Sequence, residues 1–308
     1  MGAASAEAAE PVATYSIVGY DAATGDLGVA VQSKFFAVGS VVPWAKAGVG
    51  AIASQAFGNT TFGPRGLALL EQGVPVEDVI ARLLESDEAA AQRQVGVVDA
   101  LGASAAYTGA RCMAWAGHES GPGFSAQGNI LVSEATVKAM ADAFRATEGV
   151  LGERMMRALE AGQEAGGDSR GMQSAAMLIV REKGGYGGYN DRYCDLRVDD
   201  HADPIAELRR IFNVWEEQAL IYEGYRLCDE GAWEEAFARG REAVAMNPEL
   251  GEPRYHLACY YSRGGLRGAA LEELARAVEL DPSLKSRALE DPDFEPLRED
   301  PGFLELTR

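Results

Sequence analysis

The chain has 308 residues, 47% hydrophobic and 24% charged, enough apolar mass for one large globular domain and a smaller one. Its formal net charge of −19 disfavours a nucleic-acid backbone as partner, and no apolar run is long enough to cross a bilayer, so neither nucleic acid nor membrane is expected. Cys112, Cys194, Cys228 and Cys259 form no CxxC pair, and His118, His201 and His256 stand at no metal-ligand spacing, so reduced thiols and no metal or cofactor are expected.

Residues 1–13 are rich in alanine and glutamate, with neither a basic start nor a leucine-rich stretch. They read as a disordered lead rather than a secretory signal, and a cytoplasmic location is the expectation. Alternation then predicts a β-hairpin, Tyr15–Tyr20 and Leu27–Ser33, around the turn Asp21–Asp26. Short strands are predicted over Ala37–Trp44 and Gly48–Ser54, helices over Pro64–Gln72 and Pro75–Glu85, and a second hairpin over Gln94–Asp99 and Ala103–Thr108. Two helices, Ser133–Thr147 and Val150–Ala165, precede a closing strand, Gln173–Arg181. This order predicts sheets with helices packed outside them, an α+β layered domain rather than a parallel βαβ wind.

Gly184–Gly188 lacks the lysine and the strand–helix context of a phosphate loop, and no serine, histidine and aspartate form a triad motif. Tyr186, Tyr189 and Tyr193 read as a packed loop; Asp195, Arg197 and Asp199 read as one strand face suited to an intersubunit or interdomain contact. Asp203 and Pro204 form an N-cap and first-turn pair for a helix to about Ala219.

In the tail, Gly231, Ala236, Ala243, Val244, Pro248 and Leu250 recur 34 residues later as Gly265, Ala270, Ala277, Val278, Pro282 and Leu284. That period resembles tetratricopeptide repeats and implies a helical array over residues 213–308. Phe294, Leu297, Phe303 and Leu306 are expected to cover its open end. Residues 199–308 carry 25 acidic and 13 basic side chains, a solvated repulsive surface or a dock for a basic partner.

The runs Thr14–Asp21 and Leu27–Gly39 resemble a widespread bacterial family known as domain of unknown function 1028. Val42–Trp44, Gly48–Gly50, Gln127–Asn129, Gly166–Ser174 and Asp195–His201 extend the resemblance over nearly all of residues 14–212. That family is similar in fold to the N-terminal-nucleophile (Ntn) hydrolases. The resemblance therefore implies a four-layer αββα sandwich over 14–212, followed by an all-α array.

By the same resemblance, a Thr, Ser or Cys heading the first strand attacks an amide, with its own free α-amine as base. Thr14 holds that position, preceded here by 13 residues; the other reading is a β-favouring threonine opening a strand. Ser33 is a second candidate nucleophile or substrate-positioning group, with Lys34 or Lys46 lowering the local proton affinity, or else a small core residue. Gln127 and Asn129 either donate to an oxyanion or satisfy turn carbonyls. Asp168 and Arg170, in a glycine-flanked loop, either grip an acidic substrate or fix the loop as an ion pair. The expected activity is hydrolysis of a small amide or peptide-like compound; the alternative is a catalytically silent scaffold docking partners through its repeats. A homodimer is expected in either case.

Overall fold

The computed structural model describes residues 14–308; the expected disordered lead, 1–13, lies outside the described residues. The chain divides into two compact units between Arg210 and Ile211.

The larger unit opens with β1 (Thr14–Tyr20) and β2 (Leu27–Ser33), paired antiparallel from Thr14↔Ser33 to Tyr20↔Leu27. β3 (Pro43–Lys46), β4 (Gly50–Ala56), β5 (Arg93–Asp99) and β6 (Ser104–Thr108) form a four-stranded antiparallel sheet in chain order. β7 (Gly117–Gly121), β8 (Phe124–Asn129), β9 (Ser174–Val180) and β10 (Arg192–Val198) join the first hairpin in a six-stranded sheet of order β10-β9-β2-β1-β8-β7.

Each sheet is covered on its outer face by a helix pair. α1 (Phe62–Glu71) and α2 (Val76–Glu85) lie on the four-stranded sheet, where Phe62, Leu70, Val79 and Leu83 bury against Ile52, Val95 and Val97. α3 (Ala135–Ala146) and α4 (Leu151–Glu164) cover the six-stranded sheet. A Cβ at Gly19 would touch Leu151 and Phe144, and one at Gly28 would touch Met155, so these two glycines let the helices approach the strands. The sheets face each other across Val18, Leu27, Val29 and Val31 on one side and Val42, Ala51, Ala53 and Val98 on the other. β1, β2, β4 and β9 are thereby buried on both faces, which is why their sequences are apolar almost throughout.

Three expectations are corrected. The strand read over Ala37–Trp44 is broken: Ala37 takes a left-handed conformation (φ 52°), Val38–Ser40 makes a single 3-10 turn, and extended structure begins only at Pro43. The helix read to about Ala219 continues without interruption as α5 (Pro204–Asp229). The tyrosine-glycine run is the tip of the β9–β10 hairpin, and Tyr186 and Tyr189 stand in solvent. Only Tyr193 packs there, 3.7 Å beneath the Arg181 guanidinium.

In the smaller unit, α6 (Trp233–Met246), α7 (Gly251–Arg263), α8 (Arg267–Leu280), α9 (Leu284–Glu290) and α10 (Pro301–Leu306) follow the end of α5. Their core joins Phe237, Tyr255, Tyr260 and Leu274 to Phe294, Leu297 and Phe303 of the C-terminal segment. Asp291 and Asp300 each cap a proline-led turn, accepting from the backbone N–H of Asp293 and Gly302 respectively. Among the described residues no helix is long and apolar enough to cross a membrane.

Candidate functional site

One end of the six-stranded sheet gathers the polar residues. Thr14 heads β1, and its pairing register sets Ser33 on one side and Asn129 on the other; Ser33 in turn faces Ser174 on β9. Asn129, Thr14, Ser33 and Ser174 thus make one row across four adjacent strands, and all four are buried. Residues directly opposite in a sheet point to the same face. Here it is the face toward the four-stranded sheet, because Ser16, two residues after Thr14, reaches Gln55 of β4. Thr14 Oγ1 donates to Ser33 Oγ at 3.1 Å, and the Ser174 hydroxyl donates to Phe35 O at 2.5 Å.

Behind the row lies a buried amide network that joins the predicted Gln127 and Asn129 to two further glutamines, Gln55 and Gln94. Gln94 is its hub. Its Oε1 accepts from Asn129 Nδ2 (3.0 Å) and Gln55 Nε2 (2.8 Å), while its Nε2 donates to Gly128 O (2.8 Å) and Thr108 Oγ1 (2.9 Å). Gln55 also reaches Thr14 O (3.4 Å), and Gln127 Nε2 donates to Ser16 Oγ (2.7 Å), which donates on to Gln55 Oε1 (2.6 Å). Thr108 Oγ1 lies 2.9 Å from His118 Nδ1, and burial lowers the basicity of that imidazole. The network therefore extends from the carbonyl of Thr14 to the exposed His118 on β7, with every bonded amide on the core face of its strand. The room for it comes from Gly96, where a Cβ would collide with the Gln127 amide.

The second group of predicted residues frames the entrance to β1. Asp168 is buried, and its carboxylate accepts from Lys34 N (3.1 Å), Arg170 N (2.9 Å), Arg170 Nε (3.2 Å) and Arg170 Nη2 (3.1 Å). The same loop bonds to the strand end beyond β8, through Ser169 N to Ile130 O and Val132 N to Gly167 O. Lys34 follows β2 and Ile130 follows β8, and β1 lies between them, so the loop Gly166–Gly171 ties together the strand ends on either side of Thr14. Lys34 Nζ donates to Met172 O (3.1 Å). Lys46 is separate from this group, at the far end of β3 and paired with Glu71.

Backbone strain concentrates at the same end. Ala37, Ala56 and Ile130 all have positive φ (52°, 65° and 54°): Ala56 ends β4, Ile130 directly follows β8, and Ala37 lies in the segment after β2. For a β-branched residue such as Ile130 this region is a genuine outlier, held only because the surrounding structure over-determines it.

The arrangement offers a threonine hydroxyl, a neighbouring serine hydroxyl, primary amides in reach of the same row, and a fixed carboxylate. These are the parts of acyl-transfer chemistry once a base is present. Ser174, Gln55 and Gln94 were missed as site residues. Ser174 was visible only as the last residue of a matched motif, and the two glutamines only as polar residues at positions where a buried strand calls for apolar ones.

A model described as "Family of unknown function (DUF1028)" matches residues 14–208. A crystal structure of a protein of that family from Silicibacter pomeroyi is similar to this chain, with a TM-score of 0.59 and 31% identity, covering 65% of this chain and 88% of that one. No curated protein matches.

Proposed function

The chain belongs to the DUF1028 family, and we propose that it is an amide-bond hydrolase of the N-terminal-nucleophile type with Thr14 as nucleophile. One observation carries this reading: the in-register buried row Asn129–Thr14–Ser33–Ser174, which sets a hydroxyl at the very head of the first strand among hydrogen-bonding neighbours. Supporting the matching sandwich fold are the two facing sheets with a helix pair outside each.

In this mechanism the Ala13–Thr14 bond is cut, and the freed α-amine, titrating near 7.7–8.0 in an unperturbed chain, accepts the Thr14 hydroxyl proton. The Oγ1 attacks an amide carbonyl, and the amine returns the proton to the leaving nitrogen to free the amine product. Water, deprotonated by the same α-amine, then hydrolyses the Thr14 ester to release the acid and restore the hydroxyl. Ser33 orients the hydroxyl, Asn129 supplies an amide N–H to the oxyanion, and Asp168 with Arg170 holds the framing loop. The substrate class is a small amide or peptide-like compound.

N-terminal sequencing and intact mass of the purified protein test the proposal. The expected chain begins at Thr14, a β-lactone probe adds its mass to Thr14, and Thr14→Ala abolishes both. A protein that keeps residues 2–13 and resists the probe overturns it. Full burial of Thr14 favours a second reading, a silent fold whose repeats dock partners, and that same outcome would support it.

The tetratricopeptide reading of the tail is supported by geometry at the 34-residue offset. Gly231 and Gly265 share the same turn conformation (φ 75° and 78°), and α6 and α8 start at Trp233 and Arg267 and end at Met246 and Leu280.

A further inference from the structure

A cleft in the larger unit, about 640 Å³, runs between β3 and β10 and is lined by residues that include Trp44, Lys46, Leu178, Val180, Arg192 and Arg197. Among the described residues each of these two strands is the outermost of its sheet, so both walls are strand edges. Leu178 and Val180 form an apolar floor continuous with the core between the sheets. Arg192 and Arg197 both bond to the Asp195 carboxylate (2.8 and 3.1 Å), while the other lining carboxylate, Asp191, accepts from the Lys183 backbone N–H (2.9 Å). Lys46 is matched by Glu71. At the hairpin end, beside the lining residues Asn190 and Asp191, Tyr186 and Tyr189 are 83% and 88% exposed on a loop of four glycines. Tyrosine, tryptophan and arginine around an open edge are the side chains that anchor protein interfaces.

We propose that this cleft binds an extended, carboxylate-bearing peptide segment of a partner protein. The segment adds as a strand to the β10 edge, sets its acidic side chains on Arg192 and Arg197, and passes under Tyr186 and Tyr189. Backbone pairing along an edge supplies affinity in this mode, and the flanking side chains supply specificity. A second copy of the chain fits less well. Antiparallel pairing of β10 (Arg192–Val198) with itself about its central residue sets Asp195 of one copy opposite Asp195 of the other, a like-charge pair. The overall charge of −19 does not prevent an acidic segment from docking, because at physiological ionic strength charges beyond about 8 Å are screened and the local guanidiniums dominate. The site is independent of Thr14.

The probe is a fluorescein-labelled peptide of about seven residues alternating valine and glutamate, titrated into the full chain and followed by anisotropy. Its lysine counterpart and a version with a central proline serve as comparisons. The glutamate peptide should saturate, the lysine peptide should not, and the proline peptide should bind about tenfold more weakly because proline removes an edge donor. Arg192→Ala and Arg197→Ala should each weaken binding about tenfold. The doubly exposed change Tyr186→Ser with Tyr189→Ser, which cannot disturb the core, should weaken it several-fold, and Thr14→Ala should leave it unchanged. Equal binding of the lysine or proline peptide, no saturation up to about 1 mM, or self-association of the chain that blocks the peptide would overturn the proposal.

Discussion

Two buried glutamines show how differently one side chain can act. Gln94 is bonded through both amide atoms, to Asn129, Gln55, Thr108 and Gly128. Replacing it with leucine keeps the volume but takes its acceptor from the buried Asn129 amide and its donor from the Gly117 and Gly128 carbonyls, at about 1–3 kcal/mol for each group left unsatisfied. Gln94→Leu should therefore lower the unfolding free energy by about 3 kcal/mol in urea titration. Gln32, paired with Tyr15 on the opposite face of the same sheet, is equally buried, yet neither its Nε2 nor its Oε1 has a hydrogen-bond partner among the described residues. Gln32→Leu loses no bond and removes a desolvated amide, so it should leave stability unchanged or raise it by about 1 kcal/mol. A loss of more than 1 kcal/mol in the same titration would mean that the amide has a partner in solution. Both glutamines look alike in the sequence; only the strand register separates the one that organises the site from the one that does not.

At the scale of elements, most of the fold was legible because its signals are local. The hairpins around Asp21–Asp26 and Leu101-Gly102, the proline-led α2 and the 34-residue period each follow from a few neighbouring residues. What escaped were places where distant contacts decide. Ala37, Ala56 and Ile130 carry no turn chemistry, yet all three adopt positive φ at the site end. The β7 strand, Gly-His-Glu-Ser-Gly, has none of the residues that favour strands and exists because β8 offers it an edge. Such strain is testable: Ala37→Gly and Ala56→Gly should each raise stability by about 1 kcal/mol in thermal unfolding, since the left-handed penalty exceeds the entropic cost of glycine. The reverse holds in α1. Exposed helical Gly→Ala normally gains about 1 kcal/mol, but a Cβ at Gly63 would fall inside the Trp44 indole. Gly63→Ala should destabilise by about 2 kcal/mol or more and, because Trp44 walls the β3–β10 cleft, weaken peptide binding as well.

For the whole molecule, acidity pits two effects against each other. A chain of charge −19 repels itself, and protonating carboxylates relieves that repulsion. Histidine burial works the other way. In the smaller unit the His256 imidazole lies 2.8 Å (Nδ1) from the Tyr225 hydroxyl, and burial, helped by the nearby Arg287 guanidinium, pushes its pKa down to about 4. In the unfolded chain the same imidazole takes up a proton near pH 6.5. Between those values the unfolded state binds more protons, so stability falls as pH falls, by about 1.4 kcal/mol per pH unit. His118 in the larger unit is shifted in the same direction by burial. Ordinary carboxylates titrate near 4, so repulsion is hardly relieved above pH 5 and the histidine effect decides that interval. We therefore expect calorimetry to show the transition of the smaller unit weakening by about 2 kcal/mol between pH 7 and 5, while His256→Gln removes most of that dependence. If instead the protein gains stability over this range, relief of the acidic surface outweighs the buried imidazole, and the −12 balance of residues 199–308 becomes the dominant electrostatic feature of the chain.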